Sequence, residues 1–145
     1  MTRARMGILA AAAGLMALAP STSRADELTG HPRILCTAVQ ATVCSPEGGC
    51  TMGSPWDYNV PQFIEIDFDQ KMLSTTKASG QDRSTPFKNL ERNEGKIFLQ
   101  GVEKGRAFSF VIDEASGDAS IAVARQGMTV SVFGACTPID SHGAH

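Results

Sequence analysis

Four cysteines are the residues of this 145-residue chain whose chemistry is most constrained. Cys36, Cys44, Cys50 and Cys136 form an even set, which is typical of two disulfides in an oxidising compartment. A zinc site is disfavoured because the chain has no Cys-x-x-Cys pair, and the first three cysteines do not have a zinc spacing. We therefore predict that all four cysteines form structural disulfides.

The geometry of a strand favours one of the three possible pairings. A strand over residues 34–43 would hold Cys36 and Cys44 roughly 26 Å apart at the normal rise, whereas a disulfide needs Cα atoms within about 7 Å. Cys44 and Cys50 instead bracket Ser-Pro-Glu-Gly-Gly, a run of turn-forming residues. We predict Cys44–Cys50, which leaves Cys36–Cys136 to tie the first strand to the last.

The three histidines lie near the ends of the mature chain and outside the predicted strands. A Ser or Cys nucleophile needs a fixed base within hydrogen-bond reach, so we predict no catalytic residues and no cofactor. His142 and His145 on a flexible tail could bind Cu(II), Ni(II) or Zn(II), but two such ligands make a weak site. We predict no bound metal, and metal scavenging by the terminal histidines stays an alternative function.

Three carboxylates, Glu65, Asp67 and Asp69, share one face of a predicted strand. They do not match an EF-hand, because Gln70 stands where the loop needs Gly and Thr76 where it needs Glu. We interpret them as a solvated outer face. A pair of carboxylates brought together from two strands leaves a small enzyme with a carboxylate site as an alternative.

Two aromatic residues, Trp56 and Tyr58, lie in an irregular segment directly after Cys50. Aromatic side chains on a loop held by a disulfide suit recognition of a ligand. Alternatively, Trp56 belongs to the core and caps one end of it. Arg106, beside Gly105, is the third candidate ligand-binding residue, with an ordinary exposed strand position as its alternative.

Residues 1–25 have the pattern of a secretory signal peptide. Arg3 and Arg5 precede an apolar stretch over 7–20, and Ser23 and Ala25 are small residues at the positions that a signal peptidase inspects. The stretch is too short for a comfortable transmembrane helix. We predict a mature chain from Asp26 that is periplasmic or secreted and is not an integral membrane protein.

The charge balance bounds the partners. Removing the leader lowers the 13 basic residues to 10 against 15 acidic ones, since it takes away three arginines and no acid. This acidic balance argues against nucleic acid, whose phosphates need clustered Lys and Arg. The predicted partner is a small ligand or an envelope protein whose identity the sequence does not give.

Alternating apolar and polar residues predict strands along most of the mature chain. Residues 96–102, 106–112, 118–124 and 128–133 are four such runs joined by short turns that contain Gly. Further runs cover 34–43, 63–69, 71–75 and 86–90. We predict an all-β domain over 26–145 with about eight antiparallel strands in an up-and-down meander, and 138–145 as a flexible tail. The meander closes, fully or partly, into a small barrel; a two-sheet sandwich is the alternative.

The inward face of the first strand is left open by the pattern. Cys136 shares its face with Met128, Val130 and Val132, which we expect inside, whereas Cys36 lies opposite Leu35, Val39 and Val43. Either a bulge near Gly134 reconciles the two strands, or the expected inward face of the first strand is wrong.

The last third of the chain resembles small exported proteobacterial proteins, on residues 99–109, 111–113, 116–117 and 132–137. The resemblance implies a β-rich exported protein and names no activity. Size and disulfides are also similar to those of periplasmic lysozyme inhibitors of the small β-barrel kind, at the level of the fold alone. The leading function is a non-enzymatic binding or envelope-associated module that uses the Trp56–Tyr58 loop and the nearby barrel rim.

Overall fold

A computed structural model describes residues 27–139. The predicted leader and residues 140–145, with His142 and His145, lie outside this range. The described chain forms ten strands and two short 3₁₀ turns, at Pro55–Tyr58 and Lys77–Ser79. The strands are β1 (Arg33–Ser45), β2 (Gly49–Gly53), β3 (Phe63–Asp67), β4 (Met72–Thr75), β5 (Ser84–Pro86), β6 (Asn89–Asn93), β7 (Lys96–Glu103), β8 (Arg106–Asp113), β9 (Asp118–Arg125) and β10 (Met128–Pro138).

All ten strands belong to one antiparallel sheet, which confirms the predicted all-β class and excludes the two-sheet sandwich. The order is β5-β4-β3-β1-β10-β9-β8-β7-β6, with β2 paired to β1 alone. β7 to β10 form the predicted meander, and the first strand pairs with the last. The sheet curls strongly into a half-barrel.

One segment of chain contributes the strands at both edges of the sheet. β5 pairs with β4 and β6 pairs with β7, and only Phe87 and Lys88 separate them. The Phe87 N–H donates to the Lys71 carbonyl (3.0 Å), and the Lys88 N–H donates to the Gln100 carbonyl (2.9 Å). Residues 84–93 therefore connect the two edges of the curled sheet.

A bulge in β1 resolves the open question about its inward face. Ala38 pairs with Gly134 and Gln40 with Phe133, so Val39 is an extra residue that leaves the ladder and is 66 % exposed. Before the bulge Ile34 and Cys36 face inward, and after it Ala41 and Val43 do. The bulge lies in β1, opposite Gly134, and the expected inward orientation of Leu35 and Val39 is wrong.

The core fills one end of the half-barrel, which we call the closed end: the end formed by the β3–β4, β6–β7 and β8–β9 turns. Leu28 covers it, and its N–H donates to the Glu114 carbonyl (2.8 Å) in the β8–β9 turn. The fully buried residues at this end are Leu28, Ile34, Ile66, Ile97, Leu99 and Ile112. Removing such apolar side chains from water is the main favourable contribution to folding.

Both predicted disulfides are present. Cys36–Cys136 joins β1 to β10 across 100 residues, and Cys44–Cys50 closes the β1–β2 hairpin. The Cys136 N–H also donates to the carbonyl of Gly117 (2.7 Å). Gly117 has φ +75°, and a Cβ there would collide with the Cys136 carbonyl oxygen, so this turn requires glycine.

The first two residues of the predicted tail, 138 and 139, are described by the structure. Pro138 is the last residue of β10 and pairs with Ile34, and the Ile139 N–H donates to the Arg33 carbonyl (3.1 Å). These two residues are therefore part of the folded sheet. The remaining tail positions lie outside the described residues.

Candidate functional site

The other end of the half-barrel contains a cavity of about 570 Å³. We call it the open end; it is formed by the β7–β8 and β9–β10 turns, the β4–β5 loop and the 3₁₀ turn at Pro55–Tyr58. This volume is within the range of roughly 300–1,000 Å³ that is usual for small-molecule sites. The larger apolar residues of the strands that line it include Val43, Ile64, Leu73, Phe108, Phe110, Ile121, Val123, Met128, Val130 and Val132.

The period-two pattern of the strands produces these walls. Inward residues of β9 and β10, such as Ile121, Val123 and Val130, continue the faces whose closed-end members are buried. Here they are only half-buried, because no side chain from the opposite wall fills the space between them. The Phe108 ring lies over Gly101 of β7, where a Cβ would collide with it.

On three strands, the inward-facing position nearest the open end is a charged residue. We call this rim of the cavity the mouth. Glu103 ends the face of β7, Arg106 begins that of β8 and Arg125 ends that of β9. In the sheet register Glu103 pairs with Arg106, and Arg106 pairs with Arg125. All three line the cavity.

Glu103 and Arg106 form an ion pair, with the Arg106 Nη2 donating to Oε2 at 3.0 Å. Lys104 Nζ is 3.8 Å from the other carboxylate oxygen. The hydrogen bond from Arg106 is the main cause that lowers the pKa of Glu103 below its ordinary value. Glu103 is therefore an ionised group held by a cation, which does not suit it to proton transfer near neutral pH.

Arg83 reaches the mouth from the β4–β5 loop. Its backbone is fixed by Thr75, whose Oγ1 accepts from the Arg83 N–H (2.9 Å) and whose own N–H donates to the Arg83 carbonyl (2.9 Å). The guanidinium donates to the Asn59 carbonyl (3.4 Å) and to Gln81 Oε1. Burial is the main cause that lowers its pKa, and the nearby charge of Arg106 adds to the shift.

A buried serine holds the same loop against the sheet. Ser79 is fully buried, donates to the Phe63 carbonyl (2.7 Å) and accepts from the Phe63 N–H (3.0 Å). It satisfies both backbone groups of Phe63, as a paired strand would. The loop that carries Arg83 is thus attached at both Thr75 and Ser79.

The structure separates the three predicted ligand-binding residues. Tyr58 and Arg106 both line the cavity, and the Tyr58 hydroxyl donates to the Thr51 carbonyl (3.1 Å). Trp56 does not line it and is 66 % exposed, which contradicts the interpretation of Trp56 as a core residue. That side chain lies on the outside of the 3₁₀ turn, close to Gly80.

The carboxylates of β3 lie away from the cavity. Arg33 of β1 forms ion pairs with Glu65 and, at 3.9 Å, with Asp67.

Asp113, the last residue of β8, also lies away from the mouth. It accepts from Lys96 Nζ (2.9 Å) and from the Ser116 N–H (2.9 Å), and these bonds lower its pKa to about 2. Within residues 27–139 no group of three or more His, Cys, Asp and Glu side chains could hold a metal ion.

Sequence reasoning missed Arg83, Glu103 and Arg125 at the mouth. The sequence did contain a signal for Glu103 and Arg125. Each occupies the next inward-facing position after the apolar residues of its strand, and both positions lie at the open end. Arg83 lies in a polar loop with no periodicity, so only the folded arrangement brings it to Arg106.

Comparison with known proteins finds no family model that matches the chain, and no curated protein matches its sequence. Among residues 27–139, none forms a helix with the length and apolarity needed to span a bilayer. The two disulfides fit an oxidising extracellular compartment.

Proposed function

We propose that this protein is an exported, non-enzymatic binding module that holds the apolar part of a small molecule in the open-end cavity. The observation that carries the proposal is the cavity of about 570 Å³, whose walls are mostly aliphatic and aromatic side chains and whose charged lining residues lie at the open end. The signal-like leader and the two disulfides support a periplasmic or secreted location.

Burial of apolar ligand surface supplies the binding free energy. Half-buried Ile121, Val123 and Val130 gain contacts when a ligand fills the space between the walls, at about 25 cal/mol per Å² of apolar surface removed from water. The strands that present these residues are fixed by the packed closed end. A site built on paired strands costs little ordering on binding.

A neutral, environment-sensitive naphthylamine dye tests this function. The protein is purified from the periplasmic fraction of an expressing bacterium, and its intact mass reports whether the chain starts at Asp26. We expect saturable, equimolar dye binding with a blue-shifted emission, because the dye leaves water for an apolar cavity. Ile121→Trp fills the cavity from β9 and should abolish the signal.

The matched control is Ser120→Trp, which places the same ring on the exposed outer face of β9 and should leave dye binding unchanged. Thermal melting checks that each variant folds. If Ile121→Trp does not fold, Val123→Trp introduces the ring nearer the mouth. Dye binding that survives inward substitution as well as outward substitution would refute the proposal.

A further inference from the structure

The mouth of the cavity concentrates positive charge on a protein whose net charge is −2. Arg83, Arg106 and Arg125 all line the cavity. Arg106 and Arg125 are direct register partners on β8 and β9, where like charges destabilise a sheet. A cost of this kind at an open site calls for a reason other than stability.

The carboxylates at the mouth neutralise only part of this charge. Glu103 is engaged by Arg106 at 3.0 Å, and Asp57 accepts from the Ser54 N–H at 3.1 Å. In the part of the chain that the structure describes, neither Arg83 nor Arg125 has a carboxylate within ion-pair distance. The contacts of Arg83 with Asn59 and Gln81 go to neutral oxygens, which orient the guanidinium without a direct carboxylate partner.

Burial makes the charge of Arg83 stronger in its effect. The side chain is partly desolvated; this burial and the charge of Arg106 lower the pKa of Arg83, while the charge of Glu103 acts in the opposite direction. A guanidinium that is oriented by hydrogen bonds and poorly hydrated binds oxyanions well, because its planar donors match their geometry.

Resting on the function proposed above, we propose that the ligand is an anionic amphiphile: an apolar chain lies between Ile64, Phe108 and Ile121, and its terminal oxyanion binds Arg83 with help from Arg106 and Arg125. The shared chemistry is an oxyanion at the end of an apolar chain. Both a carboxylate and a phosphate monoester have it, and the experiment separates them.

Three probes with the same chain test the head group: dodecanoate, dodecyl phosphate and dodecanol, each displacing the neutral dye. We expect at least one anion to bind roughly ten-fold or more tightly than the alcohol, the effect of one charge-assisted hydrogen bond. The anion that binds more tightly identifies the head group as a carboxylate or a phosphate monoester. Added salt should weaken anion binding and leave alcohol binding unchanged.

Arg83→Gln should remove most of the preference for the anion and leave the affinity for dodecanol unchanged. Arg92→Gln is the control, because it removes the same charge from β6 at the closed end, where Arg92 pairs with Glu114 and stacks on Phe68. If Arg83→Gln does not fold, the exposed Arg125→Gln replaces it, with a smaller expected loss.

The outcomes separate the two proposals. Equal affinities for both anions and the alcohol would overturn the anionic head group and leave the apolar cavity function intact. An unchanged anion preference in both mouth variants would likewise overturn the role of the arginines. Failure of the neutral dye to bind at all would overturn the proposed function and this inference together.

Discussion

The closed and open ends of the half-barrel are built from the same strands and differ in what lies between them. At the closed end Ile97, Leu99 and Ile112 are fully buried, and Leu28 covers them. At the open end Ile121 and Val130 continue the same inward faces and remain half-buried around a cavity. The alternation of inward and outward residues is the same at both ends, whereas covering side chains are present at the closed end and charged residues end the inward faces at the open end.

This contrast separates stability from binding within one small sheet. The closed end holds the 100-residue disulfide and the buried aliphatic residues, whereas the open end has a 3₁₀ turn, a loop and an arginine cluster. Surface left unfilled at one end forgoes packing energy that the other end must supply. The two ends should therefore respond very differently to equivalent substitutions.

Removing each disulfide should give the largest difference. By loop-closure entropy, Cys36→Ser with Cys136→Ser costs roughly 4–5 kcal/mol, and Cys44→Ser with Cys50→Ser costs about 2 kcal/mol. The reason is that the first bridge closes 100 residues and the second closes six. Urea unfolding of both double variants measures the free energies of unfolding. A larger loss from the hairpin bridge would show that the open end governs stability.

Truncation of one apolar side chain at each end should give the next largest difference. Ile112→Ala deletes a fully buried side chain and should cost about 2–5 kcal/mol. Val123→Ala deletes one that already borders the cavity, and should cost about 1 kcal/mol or less. The same unfolding assay compares them, and equal costs would mean that the open end is packed like the closed end.

Acid titration should give the smallest difference. The pKa of Asp113 is about 2 in the folded protein and 3.8 ordinarily, so its stabilising contacts are complete above about pH 4 and are lost as the pH falls through 2. Asp113→Asn at the closed end should therefore make the melting temperature depend less on pH between pH 4 and 2.

Glu103→Gln supplies the open-end counterpart. The pKa of Glu103 is also lowered, chiefly by its hydrogen bond from Arg106, so its contribution is lost in acid in the same direction. We expect Asp113→Asn to remove more of the acid dependence than Glu103→Gln. The opposite order in parallel thermal melts would place the dominant acid-sensitive contact at the mouth.

Much of the fold could be predicted from the sequence because strand alternation is local. β7, β8 and β9 each end one residue beyond the predicted run, and β10 begins where predicted but is longer. The disulfide pairing followed from the limited reach of a strand. β2 was missed because Gly49–Gly53 has glycine at both ends and no alternation; it pairs with β1 in a hairpin that the Cys44–Cys50 disulfide closes.

The cavity could not be predicted in the same way. Val130 and Val132 have the same inward pattern and both line the cavity, yet Val130 is half-buried and Val132 is buried. That difference depends on how far the sheet curls and on what covers its ends, which are long-range properties. The bulge at Val39 is equally non-local, since it is defined by the register with Gly134 and Phe133 of β10.

The placement of β2 has a consequence for solubility. Along one side of β1 the partner changes from β3 to β2, and β2 is off the main order of the sheet, so its far side offers unpaired backbone groups. An exposed strand edge of this kind is a template for aggregation between copies. Here it spans five residues, is bounded by glycines and is linked to β1 by a disulfide, and a short edge of this kind limits the pairing that it offers to a second chain.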